Sequence, residues 1–587
     1  MGTAQPGRDD LAAWRDEMRS NFYNGSSNFR HVLERRAGRE RVLALEPRLI
    51  SFGSQVAGEI ESAVAEVERY RDLPAIRPYD GIGQDISAID FHPAHRRAGV
   101  AVWASGLLAV QANGEGAFEQ AALFYLLSHV GEGGHACPVV CTAGLARALA
   151  HRGSQELRAR YLPGLLSSDF DTALRGSQFL TEVQGGSDVG ANVTQAVPVA
   201  DPAGAWRLTG EKWFCSVADA DLFAVTARPA GAPPGTRGLG CFLVPRTIES
   251  GRVNGFRLRR LKDKLGTRAL ASAEIEFDQA LAWPIGPVEE GFHVAVEELL
   301  NTSRWLNAVG ATGIMRRAYL EAAGYARHRR AFGARLGAFP IVAEQLAVMK
   351  VEECAALAST FALTELVDRL DRGTADEIEQ GAHRILVNAN KFVTSITATA
   401  VVHQAIEILG GNGTIEDFSP LPRLYRDAIV FESWEGTHNV LCAQIARDAS
   451  RRGILDDLFA WARRELARAG EGAGREALIV DTSLDSLATE LTDALARGAE
   501  GAAAFRRHLI RLVRAVQAAC LLAEATDAAS LHTGAYRLGA PSDGDKRAIA
   551  SIFVRRHLVT GYEPGQDQDW RALIAAALGD DLGTASP

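Results

Sequence analysis

At roughly 150 residues per domain, a chain of 587 residues predicts three or four domains and excludes a small binding module. Apolar residues make up 47% and charged ones 23%, enough apolar side chain for each domain to close its own core, which excludes a mainly disordered chain. A formal charge of -9 excludes the global basic field that drives non-specific nucleic-acid binding.

Residues 1–175 read mainly as helix, with LISFGSQVAGEIESAVAEVERY (49–70) amphipathic and AALFYLLSHV apolar, and with Pro74, Pro78 and Gly81 to Gly83 as punctuation. The N-terminus shows no secretory signal. From 176 to 285 the pattern changes to short runs rich in β-formers, such as WRLTGEKWFCSV, DLFAVTARP and GLGCFLVPR, separated by Gly, Pro and Asp turns. This predicts an antiparallel β domain. In SAEIEFD the alternation places Ala273, Ile275 and Phe277 on a buried face and Glu274 and Glu276 on a wet one.

Helix returns over 286–450. The segment from Asn301 to Arg330 is unusually long, and further helices fit 340–372, 375–409 and 437–450, lengths that pack as a bundle. Residues 451–587 form an additional helical region, in which Leu455, Leu458, Phe459 and Leu466, then Leu484, Leu487, Leu491 and Leu495, each share one helix face. The fold class is therefore α+β and mostly helical. No uncharged run reaches the roughly 18 to 20 apolar residues that cross a bilayer, so no membrane partner is expected. Seven cysteines, odd in number, suit a reducing cytoplasm. Cys137 and Cys141 beside His135 read as buried packing, because no second cluster completes a four-coordinate metal site.

Three segments set polar and glycine residues beside apolar structure. In QFLTEVQGGSDVGANVTQA (178–196), Thr181 follows an apolar strand, and the turn at Gly185, Gly186 and Ser187 could meet an anion, although a plain turn explains it equally. GEKWFCS (210–216) offers aromatic rings followed by a hydroxyl, either a surface for a flat ring or a core strand. In the third (407–441), Glu435 lies between Trp434 and Gly436. A carboxyl beside an indole loses hydration and gains proton affinity, which suits a general base; a helix-start Glu is the plainer alternative.

Together, in order and spacing, these segments resemble the acyl-CoA dehydrogenase flavoproteins, closest to the AidB-like adaptive-response branch. The resemblance rests on LTE followed by GGSD, YLPGL (161–165), RHRRAFG (327–333), ILGGNG (408–413) and WEGT (434–437), and for the branch on RPYDGIGQDISAIDFHPAH (77–95) and RLKDKLGTRALASAEIEF (260–277). It implies an N-terminal helical domain, a central antiparallel β domain, a C-terminal four-helix bundle and an extra helical extension. It also implies FAD, with a neighbouring subunit of a dimer or tetramer completing the site.

By this resemblance Leu180 and Thr181 would meet the pyrimidine side of the flavin. Phe214 would lie against the isoalloxazine, Ser216 would offer its hydroxyl to N5, and Gly186 and Ser187 would approach phosphate. From the other subunit, Arg329 would pair with the pyrophosphate, Phe332 would pack on the cofactor, and Gly410 and Gly411 would let the backbone come close. Thr437 and Asn439 would complete the adenosine side, with Ser187, Arg304 and Trp434 at the substrate. Glu435 would remove the α-proton of an acyl thioester, CoA- or carrier-bound, as the β-hydride moves to N5; some relatives carry the base on the long helix, where this chain has Ser303. The reduced flavin would pass electrons to an electron-transfer flavoprotein or to oxygen.

Pro340 and Glu407 stand where common dehydrogenases have glutamine. In the AidB-like branch the extension is implicated in DNA binding, and here Arg507, Arg511 and Arg514, with Arg506, would line one helix face. Residues 452–587 nevertheless hold about 16 basic and 19 acidic side chains, unlike a typical nucleic-acid binder. A DNA-binding flavoprotein with weak redox activity, and a monooxygenase of the same fold, are the rival readings to the dehydrogenase.

Overall fold

A computed structural model describes residues 6–112, 116–248, 251–451, 453–470, 473–525, 544–564 and 567–582. The N-terminal part is a layer of helices: α1 (Pro6–Met18), α2 (Ser27–Ala37), α3 (Arg39–Gln55), α4 (Glu61–Tyr70), α5 (Pro93–Ala104), α6 (Ala117–Leu127), α7 (Ala136–Arg152) and α8 (Gln155–Leu165). Where the punctuation at Pro74, Pro78 and Gly81 to Gly83 interrupts the expected helices, a hairpin of β1 (Ala75–Tyr79) and β2 (Asp85–Asp90) intervenes. Gly81 and Gly83 lie in the reversal between the two strands, where the Gly83 N–H donates to the Asp80 carbonyl, and the hairpin docks on the β domain.

The β domain comprises β3 (Gly176–Phe179), β4 (Gln195–Pro198), β5 (Trp206–Ser216), β6 (Leu222–Pro229), β7 (Gly240–Pro245), β8 (Phe256–Leu261) and β9 (Ser272–Pro284). Its order is β3-β6-β4-β5-β9-β7, with β8 on β9 and β7 also pairing with β6. The expected antiparallel sheet is in fact mixed, since β3 and β4 each run parallel to β6. Local turn chemistry marks hairpins, whereas these pairings join strands distant in sequence. Ala273, Ile275 and Phe277 are buried as the alternation requires, but Glu274 is buried too, where Arg260 and Lys262 pair with it at 2.7 and 2.6 Å.

A short turn, α9 (Gly291–Val294), runs through a π-helical segment into α10 (Asn301–His328). The bundle continues with α11 (Pro340–Asp371), α12 (Glu377–Leu409), α13 (Leu421–Ser433) and α14 (His438–Ala449). Asp376 and Glu379 close a capping box that starts α12. Within Glu377–Thr414 one window is apolar and long enough to cross a membrane by composition alone. More than half of it is buried in the bundle, so its apolarity is that of a central helix.

The extension adds α15 (Ile454–Ala467), α16 (Gly474–Ala496), α17 (Ala502–Ala525), α18 (Lys546–Leu558) and α19 (Trp570–Leu578). Leu458, Phe459, Leu484, Leu487 and Leu491 are buried, in one continuous core with α10 to α12. Its end reaches back to the bundle. Asp581 accepts a hydrogen bond from the Tyr319 hydroxyl, and pairs with the fully buried Lys350 at 2.6 Å. Arg327 donates from Nε to the Asp581 carbonyl at 2.7 Å, just before the hairpin of β10 (Arg330–Ala331) and β11 (Ala334–Arg335).

Candidate active site

Glu435 sits in the loop between α13 and α14 with φ of +58°, a left-handed conformation that a residue with a Cβ adopts at a cost of about 1 kcal/mol or more. Three side chains hold the loop in this shape. Arg304 donates from Nε to the Glu435 carbonyl at 2.9 Å, and Lys391 donates to the Glu432 and Gly436 carbonyls at 3.0 and 3.1 Å. On the carboxylate itself, Gln178 Nε2 lies 3.2 Å from both oxygens and also donates to Ser303 Oγ at 2.9 Å. Burial pushes the Glu435 carboxyl up to about 7, against the opposing pull of Arg304, Lys391 and Gln178. Burial likewise brings Lys391 down to about 7, although Glu435 acts to raise it.

Glu435 lines a narrow, mainly apolar recess together with Phe124, Ala136, Cys137, Val140, Phe431 and Trp434 and the polar Ser303 and Asn307. Trp434 packs on Phe431 with ring centroids 4.5 Å apart and contacts both the helical and the β cores. Cys137 and Cys141 lie side by side with sulfurs 3.7 Å apart, all seven cysteines are buried and unpaired, and His135 is spent on the His95 carbonyl at 2.8 Å. Arg304, expected at the substrate, is instead only 3% exposed. It stands behind Glu435, bonded to the loop and to Asn388 and Gln444 at 2.8 and 3.1 Å.

A few residues along β3 from Gln178, an open face begins. Leu180 is buried, and its carbonyl accepts from Asn192 Nδ2 at 2.7 Å. The Thr181 carbonyl accepts from the Trp213 N–H at 2.9 Å, which sets β3 beside the aromatic end of β5. Phe214 there is 52% exposed, and Ser216, two residues on, lies on the same side. The loop carrying the exposed Gly186 and Ser187 is anchored from below by Glu182. That carboxylate takes the Val193 N–H at 2.8 Å and the Thr194 N–H at 3.2 Å, and it pairs with the fully buried Lys212 at 2.7 Å. Burial alone would raise the Glu182 pKa, but Lys212 and these N–H donors win and hold it below the ordinary value. Gly186 presses against this face: an added Cβ would lie 2.6 Å from Thr181 Oγ1. A flat aromatic surface, two hydroxyls and a glycine loop at contact distance suit a flavin and its phosphates.

The remaining expected residues lie elsewhere. Thr437 and Asn439 are exposed at the start of α14, close to Glu435 in the chain. Arg329, Phe332, Gly410 and Gly411 gather at the far end of α10, where Asn412 Nδ2 meets the Tyr325 hydroxyl at 3.1 Å. Arg304 and Arg329 are 25 helical steps apart, about 38 Å. Phe332, in the β10–β11 turn with φ of +52°, is 95% exposed, and both glycines are exposed. Within one chain the two groups therefore do not meet.

Comparison with known proteins agrees with this architecture. Residues 289–450 match the family model for the acyl-CoA dehydrogenase C-terminal domain, 177–280 that for the middle domain, and 16–172 that for the adaptive response protein AidB N-terminal domain. AidB of Escherichia coli (strain K12) is 35% identical over 425 residues, covering 70% of this chain and 75% of that one. The chain belongs to the acyl-CoA dehydrogenase family. It is an FAD-dependent oxidoreductase of the AidB-like kind. Among solved structures, ACDH-11 of Caenorhabditis elegans in complex with C11-CoA superposes with a TM-score of 0.84 at 26% identity, over 94% of this chain and 93% of that one. Bd2924 in its apo form superposes with a TM-score of 0.76 at 29% identity, over 85% and 98%.

Gln178, Lys391, Glu182 and Lys212 had no role in the sequence reading. Two of them carried a signal: Lys212 falls at an inward position of β5 and Lys391 among the apolar residues of α12, and a buried lysine requires a partner. The arginine stripe of α17 is largely spent inside the chain. Arg514 pairs with Glu352 at 2.9 Å, Arg511 with Glu490 at 2.6 Å, and Arg506 lies 5.4 Å over the Phe392 ring, while Arg507 and the paired Arg511 are exposed.

Proposed function

We propose that the chain oxidises the Cα–Cβ bond of an acyl thioester, with Glu435 as the base that takes the α-proton. The observation behind this is the Glu435 carboxyl itself, enclosed at the mouth of an apolar recess and with its pKa pushed up to about 7, where an unprotonated base and a strong proton affinity coexist near neutral pH. Gln178 and Ser303 fix the direction of the carboxylate, and Arg304 and Lys391 fix the loop that carries it. The recess excludes water around the α-carbon. The Glu435 backbone N–H donates to the thioester carbonyl and stabilises the enolate charge as the proton leaves.

Thr181, Gly186, Ser187, Phe214 and Ser216 hold FAD, which when bound supplies the acceptor of the β-hydride. Because Arg329, Phe332, Gly410 and Gly411 stand about 38 Å down α10, they serve the FAD of a second copy, and the working form is a dimer or tetramer. That ACDH-11 holds C11-CoA supports an acyl-CoA as substrate over a carrier-bound thioester. An electron-transfer flavoprotein or oxygen takes the electrons.

The test is anaerobic mixing of the yellow holoprotein with saturated acyl-CoAs of graded chain length. Wild type loses its flavin colour, and Glu435→Gln does so about 10²–10⁴-fold more slowly. Equal bleaching rates in the two proteins would remove Glu435 from the role of base.

A further inference from the structure

Behind Ser216 runs a short line of hydrogen bonds that the proton-abstraction chemistry does not use. Ser216 and Ser272 face each other across β5 and β9 as a directly opposed pair, with hydroxyl oxygens 3.0 Å apart. Either could donate. Lys264 breaks this symmetry: its Nζ lies 3.0 Å from Ser272 Oγ and 2.8 Å from the Leu270 carbonyl. A carbonyl only accepts and an ammonium only donates, so Ser272 Oγ accepts a hydrogen bond from Lys264. Ser272 is 2% exposed, and its own hydroxyl proton has Ser216 Oγ as its neighbour. Ser216 is thereby made the acceptor from Ser272, and its own O–H is turned away from β9 toward the open face that carries Phe214.

We propose that Lys264 is a positioning residue that acts through Ser272 to make Ser216 a one-way hydrogen-bond donor to the flavin. This rests on the reading above that Ser216 meets N5. Without Lys264 the Ser272 hydroxyl is free to rotate, the Ser216–Ser272 bond reverses in part of the population, and the Ser216 proton is withdrawn from the cofactor. The arrangement polarises N5 before substrate arrives, at no cost of reorganisation during the reaction. The residues sit in RLKDKLGTRALAS, so that the loop between β8 and β9 and the first residue of β9 supply both members behind Ser216.

The experiment uses holoenzyme reconstituted with FAD labelled with ¹⁵N at N5, and reads the N5 resonance of the oxidised protein, which moves downfield when a hydrogen bond to that nitrogen is lost. Ser216→Ala, Ser272→Ala and Lys264→Met each move it downfield, Ser272→Thr retains the wild-type position, and Lys264→Met made in the Ser216→Ala background adds no further movement. If Ser216→Ala shifts the resonance while Ser272→Ala and Lys264→Met do not, the relay is wrong and Ser216 alone stands. If Lys264→Met shifts it equally with and without Ser216, the lysine acts by its charge through space and the relay is again wrong. If Ser216→Ala leaves the resonance in place, Ser216 is not at N5, and the inference falls together with that reading. Should Lys264→Met fail to take up FAD, Ser272→Ala against Ser272→Thr decides alone, since neither changes a charge.

Discussion

The amide of Gln178 and the carboxylate of Glu435, 257 residues apart, meet with Nε2 3.2 Å from both carboxylate oxygens. The contact ties β3 of the β domain to the loop that carries Glu435. It also draws the carboxyl pKa down, against burial. A hydrogen bond to a charged group is worth about 1.5–3 kcal/mol. Gln178→Leu, which cannot donate, is expected to slow flavin reduction by acyl-CoA at pH 7 about tenfold or more, and to move the pH profile upward. Gln178→Glu sets two carboxyls together, and is expected to raise the profile further by like-charge repulsion. A rate unchanged in both variants would leave Gln178 as packing only.

The pH dependence follows from two groups that both stand near 7. Glu435 must be ionised to accept a proton, so kcat/KM for acyl-CoA is expected to rise through about pH 7 and then level off. Lys391 loses its proton over the same range, so the apparent value belongs to the pair. Lys391→Met removes a charge that favours ionised Glu435 and releases the carbonyls on both sides of the loop, and is expected to shift the midpoint to higher pH. Stability has the opposite sign. A carboxyl raised from 4.5 to about 7 on folding binds its proton more tightly in the native state, so the folded protein loses stability as pH rises between those values. Glu435→Gln is therefore expected to melt above wild type at pH 8 and level with it at pH 4, as read by thermal unfolding.

The candidate residues were legible singly, because WEGT, LTE and GGSD are local motifs whose backbone requirements are written in adjacent positions. Glu435 and Thr181 need only their neighbours to be singled out as candidates. Gln178 and Lys391 could not be found that way, since each acts across the fold on a loop far away in sequence. The burial of Arg304 was hidden for a related reason: a long helix shows which residues share a face, but not that this arginine bonds the Glu435 loop from beneath. The parallel pairings of β3 and β4 with β6 were equally hidden, because turns report hairpins and not crossovers. Helix lengths in the bundle were plain from periodicity, and α13, which ends at the Glu435 loop, was the helix the pattern did not separate.

The α17 stripe bears on nucleic acid. Phosphate binding needs cations free to release counterions, and here Arg511 and Arg514 already serve Glu490 and Glu352. With Arg507 and the ion-paired Arg511 the exposed members, a slope of about -2 in log K against log salt is the most that this face supports. Measured by salt titration with duplex DNA, Arg507→Ala and Arg511→Ala are expected to leave affinity unchanged at about 150 mM salt. A loss of affinity accompanied by a reduced slope in either variant would return the stripe to the role of a binding surface.

The end of the extension makes a different kind of prediction. Asp581 and Lys350 form a buried ion pair, and Arg327 grips the Asp581 carbonyl two residues before Arg329. Leu582 closes the contact against Gly337, where an added Cβ would lie 3.0 Å from its Cδ2. Asp581→Asn leaves a buried lysine without its counter-charge and is expected to cost about 3–5 kcal/mol of stability. Replacing both partners, as in Lys350→Met with Asp581→Leu, removes the unpaired charge and is expected to recover most of that loss. The double variant still changes the support beneath the Arg329 hairpin. If that hairpin holds the cofactor of a neighbouring subunit, the variant weakens FAD binding by titration while its melting temperature stays near wild type. Recovery of stability and FAD affinity together would show that the latch serves the core alone, and that the hairpin stands without it.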